Sequence, residues 1–279
     1  MKQLLAFLLC LLLPIGCKKK PEHFTIEVLN GYTPVKNQEG SQLCWVYAML
    51  STIETEHIMK GDSVHLSPAW VEHMMERDSL MPSSPRAVGM TLIHLIERHG
   101  LVPYQSMPST DYLPPRWAFM LGAQYTPLEF AHSVCAPGEY IGIGHSDQYP
   151  DYAYYVMESP DNWERNELLN LPADTLLEVV VRAVRQHHGI CWEGDTSERG
   201  FDWPSGLARL SFLNGSTTDD HCMAIVGLAR DEHDEPYFIL KNSWGTQNAH
   251  NGLLYMSFDY FRAKTVALFL PRECLYQPQ

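Results

Sequence analysis

The sequence is poor in the features that mark phosphate, nucleic-acid or zinc binding. It has no glycine-rich phosphate loop and no internal repeat, which excludes a P-loop nucleotide site and a solenoid. Basic residues are scarce: 20 Lys and Arg stand against 33 Asp and Glu, a net charge of −13. A polyanion would be repelled, so nucleic acid is not among the expected partners. The seven cysteines include no Cys-x-x-Cys pair, and no Cys/His cluster has the spacing of a zinc site. Long apolar runs are missing too. The run from Leu4 to Leu13 falls well short of the roughly 20 residues that a membrane-spanning helix needs. What remains is an ordinary globular composition, 45% hydrophobic and 19% charged, long enough for one large domain or two packed lobes.

The apolar run follows one basic residue, Lys2, and precedes Pro14-Ile15-Gly16-Cys17, the layout of a secretory signal. Gly16-Cys17 resembles a bacterial lipobox, although Pro14 stands where such boxes usually carry Leu. On that resemblance residues 1–16 are a signal peptide, Cys17 carries lipid as the first mature residue, and residues 17–23 tether a domain formed by 24–279. Lys18, Lys19 and Lys20 would then face anionic headgroups. The expected location is the bacterial cell envelope, on its periplasmic or surface side. Cys10 leaves with the signal. Cys44, Cys135, Cys191, Cys222 and Cys274 remain, an odd number, so at least one thiol is free or pairs between chains.

Helical spacing of apolar residues runs from Cys44 to Lys60 and stops at Gly61-Asp62. Ser67 as N-cap and Pro68 at the first helical position open a second helix. "RAVGMTLIHLIERHG" supplies a third, with Leu92, Leu95 and Ile96 on one face and Gly100 at its end. Residues 101–125, rich in Pro, Tyr and Ser, read as a long irregular connection. A short helix from Thr126 to Ala131 and a longer one from Leu171 to Gln186 follow. Beyond them β-type runs dominate, among them "GICWEG", "GLLYMSF" and "TVALFL". Ala224–Arg230 and Pro236–Lys241 read as a hairpin around "DEHDE". A helical first half before an antiparallel second half predicts an α+β protein of two lobes.

Cys44 sits where the polar loop "VKNQEGSQL" meets the first helix. Unpaired backbone N–H groups at that end favour a thiolate. A cysteine nucleophile also needs a base, a partner that orients the base, and donors for the developing oxyanion. Gln38, upstream in the loop, offers a side-chain amide that can join the Cys44 N–H as an oxyanion donor. His221 opens one strand of the hairpin and Asn242 closes the other, so antiparallel pairing can bring them together. Trp244, two residues on, can shield the His–Asn bond from water. Taken singly, each residue has a plainer reading: a buried helix thiol for Cys44, a structural imidazole for His221, a turn residue for Asn242, simple packing for Trp244.

Together, "VKNQEGSQLCWVYA" and "HCMAIVG…YFILKNSWG" resemble the papain-like cysteine peptidases. The resemblance implies a helical N-terminal lobe, an antiparallel, β-barrel-like C-terminal lobe, and an active site between them. It assigns the oxyanion donor to Gln38, the nucleophile to Cys44, the base to His221 and the orienting amide to Asn242, in the family's order. It implies peptide or protein substrates, no metal and no organic cofactor. Ser41 stands where papain has a disulfide-forming cysteine. Cys44 and His221 are 177 residues apart, against about 130 in papain and the cathepsins. Ser-x-x-Cys-Trp and His221-Cys222-Met223 are instead similar to the bleomycin hydrolase and bacterial aminopeptidase C branch. So are "LIERHGLVPYQSMPS", "PDNW" at 160–163 and "GDTSERGF" at 194–201. The similarity runs from about Phe24 to Leu275, and a monomer is expected, since the chain is much shorter than the hexameric hydrolases of that branch.

Asp195, in "WEGDTSERGF", is a candidate ligand for a substrate α-ammonium group, against the plainer reading of a surface carboxylate. The tail "CLYQPQ" is a short segment whose reach toward the cleft is open. Only 26 residues separate Cys17 from Cys44, too few for a folded inhibitory propeptide, so an enzyme made without a latent form is expected. Two alternatives stand beside hydrolysis. One is acyl transfer to an amine through the same thioester; the other is a catalytically silent lipoprotein that captures peptides.

Overall fold

The computed structural model describes residues 22–77, 84–210 and 217–276. The expected signal peptide and Cys17 lie outside these residues. The helices are α1 (Cys44–Met59), α2 (Pro68–Arg77), α3 (Gly89–His99), α4 (Pro127–Val134), α5 (Ala173–Arg185) and α6 (Phe258–Lys264). The first strands are β1 (Thr25–Leu29), β2 (Ala118–Met120), β3 (Ala123–Tyr125), β4 (Tyr140–Gly144), β5 (Tyr154–Val156) and β6 (Glu167–Asn170). Then come β7 (Ile190–Gly194), β8 (Phe201–Asp202), β9 (Leu207–Ala208), β10 (His221–Arg230), β11 (Pro236–Lys241), β12 (Leu253–Ser257) and β13 (Thr265–Pro271). The architecture is α+β, as the sequence pattern predicts.

Local chemistry explains the helix starts. Ser67 Oγ accepts the Trp70 N–H at 3.0 Å and donates to the Met107 carbonyl at 2.5 Å, capping α2 and tying it to a distant loop. Thr126 and Glu129 form a reciprocal capping box at α4. Helix α1 is different. From Cys44 to Glu56 only Tyr47 escapes burial, so α1 has no solvent face and runs through the middle of the molecule. It packs against α2 and α3 on one side and β7 and β10 on the other.

Burying α1 on every side also buries its carboxylates, and each finds partners. Glu54 accepts from the Leu66 N–H at 2.7 Å, Thr33 Oγ1 at 2.5 Å and Lys36 Nζ at 3.2 Å, with Lys241 Nζ 3.8 Å away. Glu56 accepts from the Gly189 N–H at 2.8 Å and contacts His188 Nδ1 at 3.0 Å. A Cβ at Gly189 would come within 2.9 Å of the Thr52 carbonyl oxygen. Glycine there lets the chain entering β7 lie directly on α1.

Strands β2 and β3 form a separate hairpin; the others make one sheet in the order β5-β6-β4-β13-β7-β10-β11-β12-β9-β8, with β1 laid along β10. Pairing is antiparallel except between β12 and β9 and between β4 and β6. In the β10–β11 hairpin Ala224 lies opposite Lys241 and Arg230 opposite Pro236. One apolar cluster joins α1–α4 to the near face of the sheet, and a second fills the far face beneath α5 and α6.

Several parts differ from the sequence expectation, among them strand β1 before the first helix and helix α6 within the β half. Residues 101–125 are not wholly irregular, because they hold a 3-10 turn at Tyr104–Ser106 and the β2–β3 hairpin. Strands β4, β5 and β6 also arise earlier than the expected β half. Their sequences, "YIGIG", "YYV" and "ELLN", are short, and the glycines in the first weaken its strand signal.

Candidate active site

Three segments meet at the N-terminal end of α1. Cys44 is the first residue of the helix and is 6% exposed. Its backbone N–H has no intrahelical acceptor, as for any residue of a first turn. Cys222 and, after it, His221 lower the Cys44 thiol well below its ordinary range, against the opposing effect of burial.

His221 opens β10, and Asn242 follows the last residue of β11. Because Ala224 pairs with Lys241, both extend past the same end of the ladder. His221 Nε2 lies 2.7 Å from Asn242 Oδ1. The Ser243 N–H also donates to Asn242 Oδ1, at 2.7 Å, which identifies that atom as the oxygen, since an amide nitrogen cannot accept. Nε2 must therefore carry a proton, and Nδ1 is the nitrogen left for Cys44.

Trp244 covers this pair. Its ring centroid is 4.4 Å from that of His221, inclined by 33°, and the edges of Phe201 and Trp203 pack on Trp244 in turn. Of the two readings open for Trp244, a shield over the His–Asn bond fits this placement.

The loop before α1 is zipped to the segment after β11. The Gln38 N–H donates to the Ser243 carbonyl at 2.7 Å, Asn37 bridges Trp244, and the Gly245 N–H donates to the Lys36 carbonyl at 3.1 Å. Gly245 has φ +72, a conformation that glycine adopts without strain. Gln38 Oε1 accepts from Ser243 Oγ at 2.5 Å, and its Nε2 donates to the Ser41 carbonyl at 2.7 Å. One hydrogen of Nε2 stays available for an oxyanion. Cys44, His221, Asn242 and Gln38 are thus brought to one place.

Asp195 is not where a substrate ligand must be. It is 1% exposed, and its carboxylate accepts from the Ser197 N–H and hydroxyl and from the Thr218 N–H, with Lys264 Nζ 3.4 Å away. Burial pushes its pKa up, but the Ser197 and Thr218 hydrogen bonds and Lys264 outweigh that and hold it below the ordinary carboxylate range. It is a loop anchor, which corrects both the ammonium-ligand and the surface-carboxylate readings. The tail does not approach the cleft as far as Tyr276, which lies beside Lys60 at the far end of α1. Sixteen helical residues put about 24 Å between the two ends.

Sequence reasoning missed several neighbours of Cys44. Arg86 donates to Asp161 at 2.7 Å and to the Asp219 carbonyl at 2.6 Å. Glu193 is fully buried, and burial together with Asp219 pushes its carboxyl well above the usual range. These residues come from four separate segments, and no short spacing could have announced them. Ser243 was within reach, since it lies inside "NSWG" and fixes both Gln38 and Asn242.

This fold, with thiol, imidazole and amide meeting between the helices and the sheet, is that of the papain-like α+β proteins. Residues 178–266 match the model of the papain family of cysteine proteases. A viral cathepsin of Spodoptera litura multicapsid nucleopolyhedrovirus is 26% identical over 249 residues, 88% of this chain and 58% of its own length. Aminopeptidase W of Lactobacillus delbrueckii subsp. lactis is 21% identical over 172 residues, 53% of this chain and 39% of its own. The chain therefore spans less than two thirds of the length of these relatives. The solved structure of PepW from Lactobacillus rhamnosis superposes with a TM-score of 0.69 at 16% identity, covering 90% of this chain and 83% of that one. The bromelain protease of Ananas comosus does so with 0.53 at 18%, covering 86% and 94%. Residues 178–266 are thus similar to the papain family of cysteine proteases, and the solved structures share the fold.

Proposed function

We propose that this protein hydrolyses peptide bonds with Cys44 as nucleophile, His221 as acid and base, Asn242 as its orienting partner and Gln38 as oxyanion donor. The observation that carries the reading is the 2.7 Å bond from His221 Nε2 to Asn242 Oδ1 beside a thiol whose surroundings favour its ionised form. In this reading the Cys44 thiolate attacks the scissile carbonyl, and the oxygen gains charge between the Cys44 N–H and Gln38 Nε2. His221 Nδ1–H gives its proton to the leaving amine, the C–N bond breaks, and a thioester remains. His221 then takes a proton from water, whose hydroxide attacks the thioester; the C–S bond breaks, the acid product leaves, and the Cys44 thiolate and protonated His221 are restored.

A library of peptides with free and blocked N-termini tests this. Cleavage should be abolished by iodoacetamide and by Cys44→Ala; full activity in Cys44→Ala would remove the assignment. The name of the relative aminopeptidase W supports action at free N-termini, and cleavage that survives N-terminal blocking would reassign the enzyme to internal bonds. Acyl transfer would show as adducts with added amines.

We further propose that the chain is exported and anchored in the bacterial envelope by lipid on Cys17, on the support of the N-terminal pattern. Metabolic labelling with a fatty acid should mark the wild type and not Cys17→Ala. Equal labelling of both would overturn the anchor.

A further inference from the structure

A cavity of about 780 Å³ opens beside the loop that carries Gln38, bounded by that loop, by α1 and by the start of α2. Gln38 borders it, while Cys44 and His221 do not, so it adjoins the oxyanion side of the site without holding the reacting thiol or imidazole. Two carboxylates, Glu39 and Glu72, line it, and among the described residues neither carboxylate has a hydrogen-bond or ion-pair partner. Lys36, the cation on the wall, is already held by Glu54 at 3.2 Å and lies 5.5 Å from the centre of the Tyr104 ring. His65 stacks on Tyr104 at 4.3 Å, and burial, with Lys36 behind it, lowers its pKa, which leaves it neutral near pH 7. The charge left unanswered in the cavity is therefore negative. The start of α2 does not reverse this, since Pro68 has no N–H and Ser67 Oγ takes that of Trp70.

We infer that this cavity is a subsite for a lysine or arginine side chain of the peptide substrate, with Glu72 as the residue that selects it. The inference deepens the peptidase reading and rests on it. Val35, Pro68 and Ala69 on the wall match the methylene stem of such a side chain. The rings of Tyr47 and Tyr104 match its head, because an aromatic face attracts a cation. Glu72 is half-buried on α2. Burial and, after it, Glu76 push its carboxyl above the ordinary value, the behaviour of a carboxylate partly withdrawn from water with no cation beside it. A basic head group brings that cation. Glu39 is exposed at the rim, where water screens it, so it adds attraction and little selection.

Peptides that differ only in carrying Arg, Gln or Glu, at one position at a time, test it. At one of those positions the wild type should cleave the Arg peptide about tenfold faster in kcat/KM than the Gln peptide, with Glu slowest. Glu72→Gln, which keeps the size and removes the charge, should bring Arg and Gln level there. Glu72→Lys should turn the preference toward Glu. Equal rates for Arg and Gln at every position, or an Arg preference that Glu72→Gln leaves intact, would overturn the subsite. Fluorescence anisotropy of the same peptides, labelled and added to Cys44→Ala, reads the cavity without the chemistry. An Arg preference in binding that Glu72→Gln abolishes, in a protein whose wild type cleaves nothing, keeps the subsite and removes the peptidase reading. Cleavage with no such preference does the reverse.

Discussion

Replacing His221 with Ala is expected to lower peptide turnover by about 10²–10⁴-fold or more, the contribution of a positioned general acid and base. The geometry makes the variant clean. Asn242 Oδ1 keeps the Ser243 N–H, and Gln38 keeps both its backbone and side-chain bonds to Ser243. The oxyanion side of the site should therefore survive, and the loss should fall on the chemical step, in kcat more than in KM. Cys44 should need a higher pH for alkylation, because one of the groups that lower it is gone. Steady-state kinetics on any peptide the wild type cleaves, read beside a melting curve, is the measurement. A loss below tenfold with the fold intact would show that the base lies elsewhere.

Glu54→Leu should be the most destabilising single change in the buried charge network, by about 3–5 kcal/mol, the cost of leaving a buried partner charge uncompensated. The carboxylate is wholly buried on α1, and Lys241, 5% exposed, comes from the last residue of β11. Lys36 is more exposed and can turn to water; Lys241 cannot. Burial already pulls Lys241 down to about 8, against the opposing pull of Glu54. The folded pKa thus lies below the unfolded one near 10.4. Between the two the unfolded chain binds more protons, so the Lys241 contribution to stability improves as pH rises through that window. Without Glu54 the window opens downward, and the damage should be greatest near neutral pH and shrink toward alkaline pH. Chemical denaturation at several pH values reads it. Glu54→Leu with Lys241→Met should recover most of the loss, and a double variant no better than the single would refute the coupling.

Much of the site was legible because its members stand where one pattern changes into another. Cys44 is where a polar loop becomes a helix, and His221 and Asn242 bracket two apolar runs joined by an acidic turn. Those junctions are local, and the hairpin register that joins the last two follows from the alternation of its strands. Asp195 was misread for the opposite reason. A polar residue in a loop carries no local mark of burial, and the groups that enclose it, Thr218 and Lys264, come from far along the chain. Arg86, Asp161, Glu193 and Asp219 were illegible on the same ground. The early strands β4 to β6 are brief, and tertiary packing rather than propensity makes them strands. Burial was the hidden variable throughout: the amphipathic stripe expected of α1 is absent because both of its sides are inside.

The enclosure of α1 has a consequence for how the protein fails. Many reactive groups sit on loops that open locally long before the rest of a molecule unfolds. Cys44 begins the helix around which the first apolar cluster and the buried carboxylates Glu54 and Glu56 are organised, so it cannot be released without dismantling that core. An opened chain would also part Cys44 from Cys222 and His221, and its thiol would return to ordinary reactivity. Heat or denaturant should then extinguish the reactive thiol and the helical signal in a single transition, leaving no partly unfolded form that still carries an activated cysteine.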